Sequence, residues 1–486
     1  AHPYVPLTYN GLPTATKTAS AQVSPVAARD LSGFNDSEMS VFQSNFALNW
    51  EIPWLKGLSA RAMGSFDRDY THSKVFKTPF QVSLASRPTP TYPSLKYETM
   101  YPVAIGNVAT MSEGFAEATR ITFQGQINYA QTFGKHDISA LALWEQSNYI
   151  YKQFNVNVKD FDFYDFAELN HAKSIADQNQ FSGSSKTSPR AGFVFRASYA
   201  YEQKYLLEVS GRYDGSYRFS PETRWSLFPA ASIGWRISEE NFFKEAAPFV
   251  TNLKLRASAG QLGNDAASPE FAYLRTMAWV SEDPSVVIGD IPQKALMTSG
   301  VPSNNTWEVT TTYNAGFDLL MWNGLLGMEF DWFYKLTTDI LRSQAGIWPP
   351  SVGGNFPSVI NAGKVDARGF DLVLTHENKI NQFNYGARLS LNWARNRILN
   401  IDDSPNIPDY LKRNGLQVGM KDGFVSLGLF KSDEEAAIYP TVREGAKGGD
   451  IRYKDLNGDG KITYDQDRAW IAKSNIPELM GGLDLH

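Results

Sequence analysis

Hydrophobic and polar residues alternate with period two along most of the chain, the signature of strands with two unlike faces. Ile121, Phe123, Gly125, Ile127 and Tyr129 alternate with polar residues without an error. A turn follows at Thr132–His136, and Ile138 to Trp144 returns as an apolar, small-residue strand. Tyr205, Leu207, Val209, Gly211 and Tyr213 share one face, opposite Glu208, Ser210, Arg212 and Asp214. Ala231, Ile233 and Trp235 repeat the pattern, as do Leu253, Leu255, Ala257 and Ala259. Two hairpins state it best. Tyr313, Ala315, Phe317 and Leu319 run into the turn at Trp322–Gly324, and Met328, Phe330, Trp332 and Tyr334 run back. Phe370, Leu372 and Leu374 are answered by Tyr385, Ala387, Leu389, Leu391 and Trp393. We count about a dozen such runs, several reaching the ~9–11 residues that cross a bilayer. Tyr129, Trp144, Tyr205, Tyr334, Tyr385 and Trp393 stand at ends of apolar faces, where an aromatic girdle would place them.

The fold class this predicts is all-β, an antiparallel transmembrane β-barrel. A soluble sandwich, propeller or β-helix also alternates. Its strands are most often about 5–6 residues long, shorter than several of these. The non-apolar faces here carry Arg, Glu, Asp and Asn, which suits a wet lumen. No repeat of about 20–50 residues supports a propeller or solenoid. Irregular stretches rich in Pro, Ser, Asn and aromatics separate the hairpins at about residues 74–116, 156–189, 264–306 and 344–363. Barrels of this kind keep long loops outside and short turns in the periplasm, so these predict an extracellular mouth. One short helix is expected within 160–178.

Composition narrows the classes. The 486 residues hold 46 Lys plus Arg and 51 Asp plus Glu, a formal charge of −5 without the basic excess of a nucleic-acid binder. With no Cys and 6 His, disulfides, thiolate zinc sites and Cys nucleophiles are excluded. The 30 Phe, 23 Tyr and 12 Trp outnumber the basic residues. No run of about 18 apolar residues predicts a membrane-spanning helix, a test blind to barrels. The N-terminal residues lack the pattern of a signal peptide, and Gly481–His486 opens an alternating strand and stops. Both ends therefore read as cuts through a longer protein.

Several segments, in order, carry a family resemblance. They are Tyr205–Phe219 (YLLEVSGRYDGSYRF), Phe228–Phe243 (FPAASIGWRISEENFF), Leu253–Asn264 (LKLRASAGQLGN), the hairpin from Trp307–Leu320 to Phe330–Leu341, Asn361–Leu372 (NAGKVDARGFDL) and Gly449–Ile462 (GDIRYKDLNGDGKI). Over most of residues 40–486 the sequence resembles the SusC-like (RagA-like) TonB-dependent transporters of the Bacteroidetes outer membrane. The resemblance implies that residues 1–486 are part of a barrel of about 22 strands with a plugged lumen. Plug domain, signal peptide and final strands are expected to lie outside the chain. It also implies import energised by TonB through the missing N-terminal part, with a SusD-like surface lipoprotein as partner. The cargo would be oligosaccharide in most family members and peptide in some.

The sharpest local motif lies in the acidic loop 450–467. Asp455, Asn457, Asp459 and Lys461 occupy positions 1, 3, 5 and 7 of an EF-hand loop, three side-chain oxygens and a backbone carbonyl, with Gly460 at the sharp turn. Position 12 is Gln466 rather than Glu, so Asp465 or Asp467 would have to supply the distal ligand for Ca2+. The bland reading is an acidic loop of Asx turns. No G-x-S-x-G, H-E-x-x-H or P-loop is present, so no catalytic residues are assigned. Glu329 with Asp331, Asp160 with Asp162, and His376-Glu377 read as solvated lumen, loop and turn residues. Tyr92, Trp279, Trp348 and Phe356 lie in expected outer loops, where they suit sugar stacking, peptide binding or packing alike. Two alternatives stand beside the importer. One is a passive barrel of about fourteen strands, complete as given. The other is a soluble, calcium-binding, carbohydrate-active β-protein.

Overall fold

The structure is a computed structural model that describes residues 7–17, 22–85, 100–174, 181–275, 277–288, 291–298, 303–343, 359–401 and 409–486. Its strands in chain order begin with β1 (Thr8–Tyr9), β2 (Leu12–Lys17), β3 (Gln22–Val23), β4 (Gly33–Glu51), β5 (Leu58–Lys77), β6 (Phe80–Ala85), β7 (Met100–Ile105), β8 (Thr110–Phe133) and β9 (His136–Phe161). There follow β10 (Ala172–Ser174), β11 (Phe181–Tyr201), β12 (Tyr205–Ser216), β13 (Trp225–Arg236), β14 (Val250–Asn264), β15 (Met277–Ile288), β16 (Ile291–Thr298), β17 (Glu308–Met321) and β18 (Leu326–Ser343). The last are β19 (Val359–Ile380), β20 (Phe383–Asn400), β21 (Lys421–Phe424), β22 (Ser426–Leu429), β23 (Ile451–Tyr453), β24 (Arg468–Ala472) and β25 (Leu479–Leu485). Three one-turn helices, α1 (Pro25–Asp30), α2 (Asn241–Ala246) and α3 (Asp433–Ile438), complete the main elements. None is long or apolar enough to cross a membrane.

Fourteen strands form one sheet in the order β25-β20-β19-β18-β17-β14-β13-β12-β11-β9-β8-β5-β4, with β10 beside β9. From β25 to β11, and between β9 and β10, its strand pairs are antiparallel. The all-β barrel-wall expectation therefore holds. The chain divides into two compact units, one of residues 1–48, 62–124 and 146–189, the other of 49–61, 125–145 and 190–486.

In the first unit a small sheet, β1-β2-β6-β7 with β3 on β2, packs against α1 around Ala15, Ala27 and Val82. Ser24 caps α1 by accepting from the Ala27 N–H, and Pro25 enters with its φ preset for a helix. A second core gathers Phe76, Ala109, Met111, Val158 and Phe161, with the Phe76 and Phe161 rings edge to face at 5.1 Å.

Three of the stretches expected to be irregular contain strands. Within 74–116, β5 runs on to Lys77, and β6 and β7 form a hairpin. Within 156–189, β9 continues to Phe161 and β11 has begun at Phe181. Within 264–306, β15 and β16 pair, with register shifts around Asp283 that hide their alternation. Most of 344–363 lies outside the described residues, and β19 has begun by Val359. The helix expected in 160–178 is a strand end, a single 3-10 turn at Leu169–His171 and then β10, which folds back onto β9; residues 175–180 lie outside the described set. Pairing with an existing strand edge outweighs weak helical patterning.

In the second unit the connections 201–205, 236–250, 321–326 and 380–383 lie at one end of the strands, all but 236–250 of them tight. At Trp322–Gly324 all three residues hold positive φ, the conformation for which the Asn-Gly pair is suited. The connections at the other end are long, and the acidic loop belongs to the longest of them, between β20 and β25.

Candidate functional site

Register fixes which side chains share a face, and in the second unit one face is apolar across nine strands. Phe193, Tyr199, Leu207, Val209, Tyr213, Ile233, Trp235 and Leu255 occupy it on β11 to β14. Phe317, Phe330, Trp332, Phe370, Leu372, Leu389, Leu391, Trp393, Leu483 and Leu485 continue it to β25. Among the described residues no layer covers them. Ile233 is 60% exposed, Leu207 45% and Leu483 65%. A soluble sheet would bury such a face, whereas lipid tails solvate it. Two aromatic rows border it. Tyr201, Tyr205 and Trp235 stack at centroid spacings of 6.4 Å by the tight turns, and Trp144, Phe193, Tyr213 and Trp225 cluster toward the long connections. Tyr205 and Tyr213 are eight residues apart on β12, about 26 Å of strand at ~3.3 Å per residue, close to the height of a barrel's apolar band.

Glu240 secures the turn-side row. It accepts from the Tyr205 hydroxyl at 2.6 Å and the Trp235 indole N–H at 3.1 Å, with the Lys204 ammonium at 3.6 Å. The Tyr205 hydrogen bond, foremost, holds the Glu240 carboxyl below the ordinary 4.5. A depressed carboxylate pKa contributes stability that is present above the unfolded value and lost as pH falls through the folded one. Trp235 fluorescence should therefore change on acidification from about pH 4.5 downward. Glu240→Gln should abolish that step, and a step that survives the substitution would assign it elsewhere.

The opposite face is polar and charge-paired. Arg212 meets Asp214 at 3.0 Å and Glu145 at 3.8 Å. Arg256 on β14 makes two 2.6 Å bonds to Asp331 on β18 and a 3.0 Å bridge to Asp318 on β17. It reaches across an intervening strand because Gly316 lies between Arg256 and Asp331 in register. A Cβ at Gly316 would sit 2.4 Å from the Phe330 carbonyl oxygen and 2.6 Å from Asp331 Oδ1. Glu329 and Asp371 stand beside these carboxylates, opposite Asp318 and Asp331. Arg256→Leu should cost about 2 kcal/mol, since charged hydrogen bonds are lost and carboxylates are left facing one another. Gly316→Ala should cost a comparable amount although it removes no charge. Urea unfolding in detergent checks both, and an unchanged Gly316→Ala midpoint would refute the bridging role.

Five of the six segments that carry the family resemblance converge beyond this face, at the long-connection end. Trp307 is 6% exposed, packs against Phe219 and Phe228 at 5.3 Å each, and donates its indole N–H to the Arg224 carbonyl at 3.1 Å. Buried Asp265 accepts from Arg190 at 2.8 Å and from Ser216 at 2.6 Å. Glu308 accepts from Asn264 and from the Leu341 N–H at 2.9 Å each. Asn361 accepts from the Thr306 N–H and donates back to the Thr306 carbonyl, 2.9 Å each way. Sequence reading found each segment but not their meeting. The signal was there as aromatic and small polar residues at successive strand ends.

The acidic loop folds partly as its spacing predicts. Asp455, half-buried, accepts from the Gly458 N–H at 2.7 Å and the Gly460 N–H at 2.8 Å. Asn457 and Asp459 are exposed, and their side chains accept from the N–H groups of Asp459 and Lys461. Gln466, at position 12, folds back to accept from Asn457 at 3.1 Å. Asp465 is exposed. Asp467 is fully buried and clasps the loop, accepting from Leu456 N–H at 2.9 Å and Thr463 N–H at 2.8 Å. Among the described residues no group of three or more His, Cys, Asp or Glu is set to hold a metal. Asp467→Ala should orphan two backbone donors at about 1–3 kcal/mol each. Faster amide exchange at Leu456 and Thr463 would register it, and unchanged exchange would remove the clasp. Of the aromatic candidates, Trp279 lies on β15; Tyr92, Trp348 and Phe356 lie outside the described residues.

Residues 3–467 match the family model described as TonB dependent receptor-like, beta-barrel. TonB-dependent receptor P26 of Formosa agariphila is 33% identical over 307 residues, 60% of this chain and 30% of its own. TonB-dependent receptor SusC of Bacteroides thetaiotaomicron is 26% identical over 379 residues, 75% of this chain and 35% of its own. The solved RagAB peptide transporter superposes with a TM-score of 0.73 at 19% identity, over 98% of this chain and 49% of that one. The chain thus spans about a third of the length of these curated relatives and about half of that solved chain. A sheet with one lipid-ready face and one charge-paired face, joined to that match, settles the family: the chain belongs to the TonB-dependent receptor-like β-barrels of the outer membrane.

Proposed function

We propose that the whole protein is a TonB-dependent importer of oligosaccharides and that this chain builds much of its barrel wall. The two-faced sheet supports this reading most directly, because it separates a lipid-facing band from a hydrated, charge-paired wall. The long connections would face outward and meet a SusD-like lipoprotein, while TonB would act through a part of the protein outside this chain. Likeness to the peptide transporter at 19% identity concerns fold alone, so peptide cargo is the second outcome of the test. Membrane fractionation of the full-length protein, then pulldown and growth on defined glycans or peptides, tests the reading. Outer-membrane recovery with a surface lipoprotein, and loss of growth on a glycan in a deletion strain, are expected. Loss on peptides alone would replace the cargo, and a protein soluble without detergent would end the importer reading.

For the acidic loop we propose Ca2+ as a ligand of Asp455, Asn457, Asp459 and the Lys461 carbonyl. Each carboxylate oxygen that accepts one N–H keeps a further lone-pair site for a cation. Asp467 is engaged as the clasp, and Asp465 would have to turn inward. Tb3+ luminescence, sensitised by Tyr453 or Tyr464 and displaced by Ca2+, is expected for the native chain and not for Asp455→Ala. Absence of a signal in the native chain would leave the loop to its Asx turns.

A further inference from the structure

Below the long connections, the outward face of the β19–β20 hairpin changes from apolar to cationic within two residues. Leu374 with Leu389, Leu372 with Leu391, and Phe370 with Trp393 are cross-strand pairs. The next pair on the same face is Arg368 with Arg395, followed by Asp366 with Arg397. Like charges directly opposite one another destabilise a sheet unless something neutralises them. Among the described residues two acids are at hand for three guanidinium groups. Asp366, nearly buried, holds Arg397 at 3.2 Å, and Glu478 stands 3.7 Å from Arg395. Arg368 has no ion pair or hydrogen bond among the described residues and is exposed. Arg395 and Arg397 are 56% and 51% exposed.

We propose that Arg368 and Arg395 bind the phosphate of a lipid headgroup in the outer leaflet; the proposal rests on the membrane reading above. The apolar band ends at Phe370 and Trp393, so a lipid whose chains lie on that band carries its headgroup to the level of the arginines. Guanidinium forks match phosphate oxygens bidentately, and two forks facing one another across a strand pair suit one anion. Charge complementarity favours an anionic lipid over an acidic protein segment, because the pair is continuous with the lipid-facing surface.

Native mass spectrometry of the full-length protein in detergent, with added phosphatidylglycerol or phosphatidylcholine, tests this. Phosphatidylglycerol should stay bound where phosphatidylcholine is lost. Arg368→Gln with Arg395→Gln should weaken that adduct about tenfold, the scale of a lost charged hydrogen-bond pair. Arg388→Gln, on the polar face, should leave it unchanged. Heat-modifiable mobility on gels reports that each variant still folds. An undiminished adduct in the double variant, or an equal loss in Arg388→Gln, overturns the proposal alone. So does capture of an acidic protein at the pair with no preference between the lipids. Partition of the native protein into the aqueous phase overturns the membrane reading and the proposal together.

Discussion

Trp307→Ala should destabilise the barrel wall by about 3–5 kcal/mol, the range for removing a buried aromatic from a packed core. The indole touches the only aromatic core cluster found among the described residues of the second unit, with Phe219, Phe228 and Val309 around it. Phe219 belongs to the turn after β12, Phe228 to β13 and Trp307 to the entry of β17, so one side chain ties a turn, a strand and a strand entry together. Its N–H also satisfies the Arg224 carbonyl. Trp307→Phe separates the two contributions, since it keeps most of the packing and loses about 1 kcal/mol of hydrogen bond. Urea unfolding of the full-length protein in detergent gives both numbers. A Trp307→Ala cost under about 1 kcal/mol would place the anchor elsewhere. Equal costs for the two substitutions would assign it to the hydrogen bond rather than the packing.

This cluster marks the limit of what the sequence alone discloses. The alternation from Tyr205 to Tyr213 and from Phe370 to Leu374 is legible because a strand's two faces follow from period two, whatever its partners. The Arg256–Asp331 bridge is not legible, because it depends on the register of three strands and on the missing side chain at Gly316. The same limit applies to Asp265 with Ser216 and Arg190, which lie 49 and 75 residues away. In the acidic loop the bonds from Gly458 and Gly460 N–H to Asp455 span five residues or fewer, the range over which spacing alone suggests Asx turns. It did not foretell that Asp467 would turn inward and Asp465 outward. The helix expected within 160–178 is reduced, among the described residues, to the 3-10 turn Leu169–His171 for a related reason. A nearby edge of β9 offered β10 backbone partners, and local patterning carries no information about such an edge.

Leu389→Arg should be the most damaging single charge on the apolar face, at about 2–4 kcal/mol for a cation near the bilayer midplane. Leu389 lies midway along the apolar run of β20, paired with Leu374 on one side and Leu483 on the other. It is four residues from both the Trp393 row and Tyr385, too far from either boundary for an arginine to reach water easily. Ser390→Arg is the control. It places the same charge one residue away, on the polar face beside Val373 and Gly482, where hydration is available. Folding into liposomes, followed by urea titration, should separate the pair by at least about 2 kcal/mol. The same assay at Trp393 should give a smaller penalty, because cost falls toward the interfaces. Equal penalties for Leu389→Arg and Ser390→Arg would mean that neither face meets lipid. The alternation would then have to be the two sides of a soluble sheet.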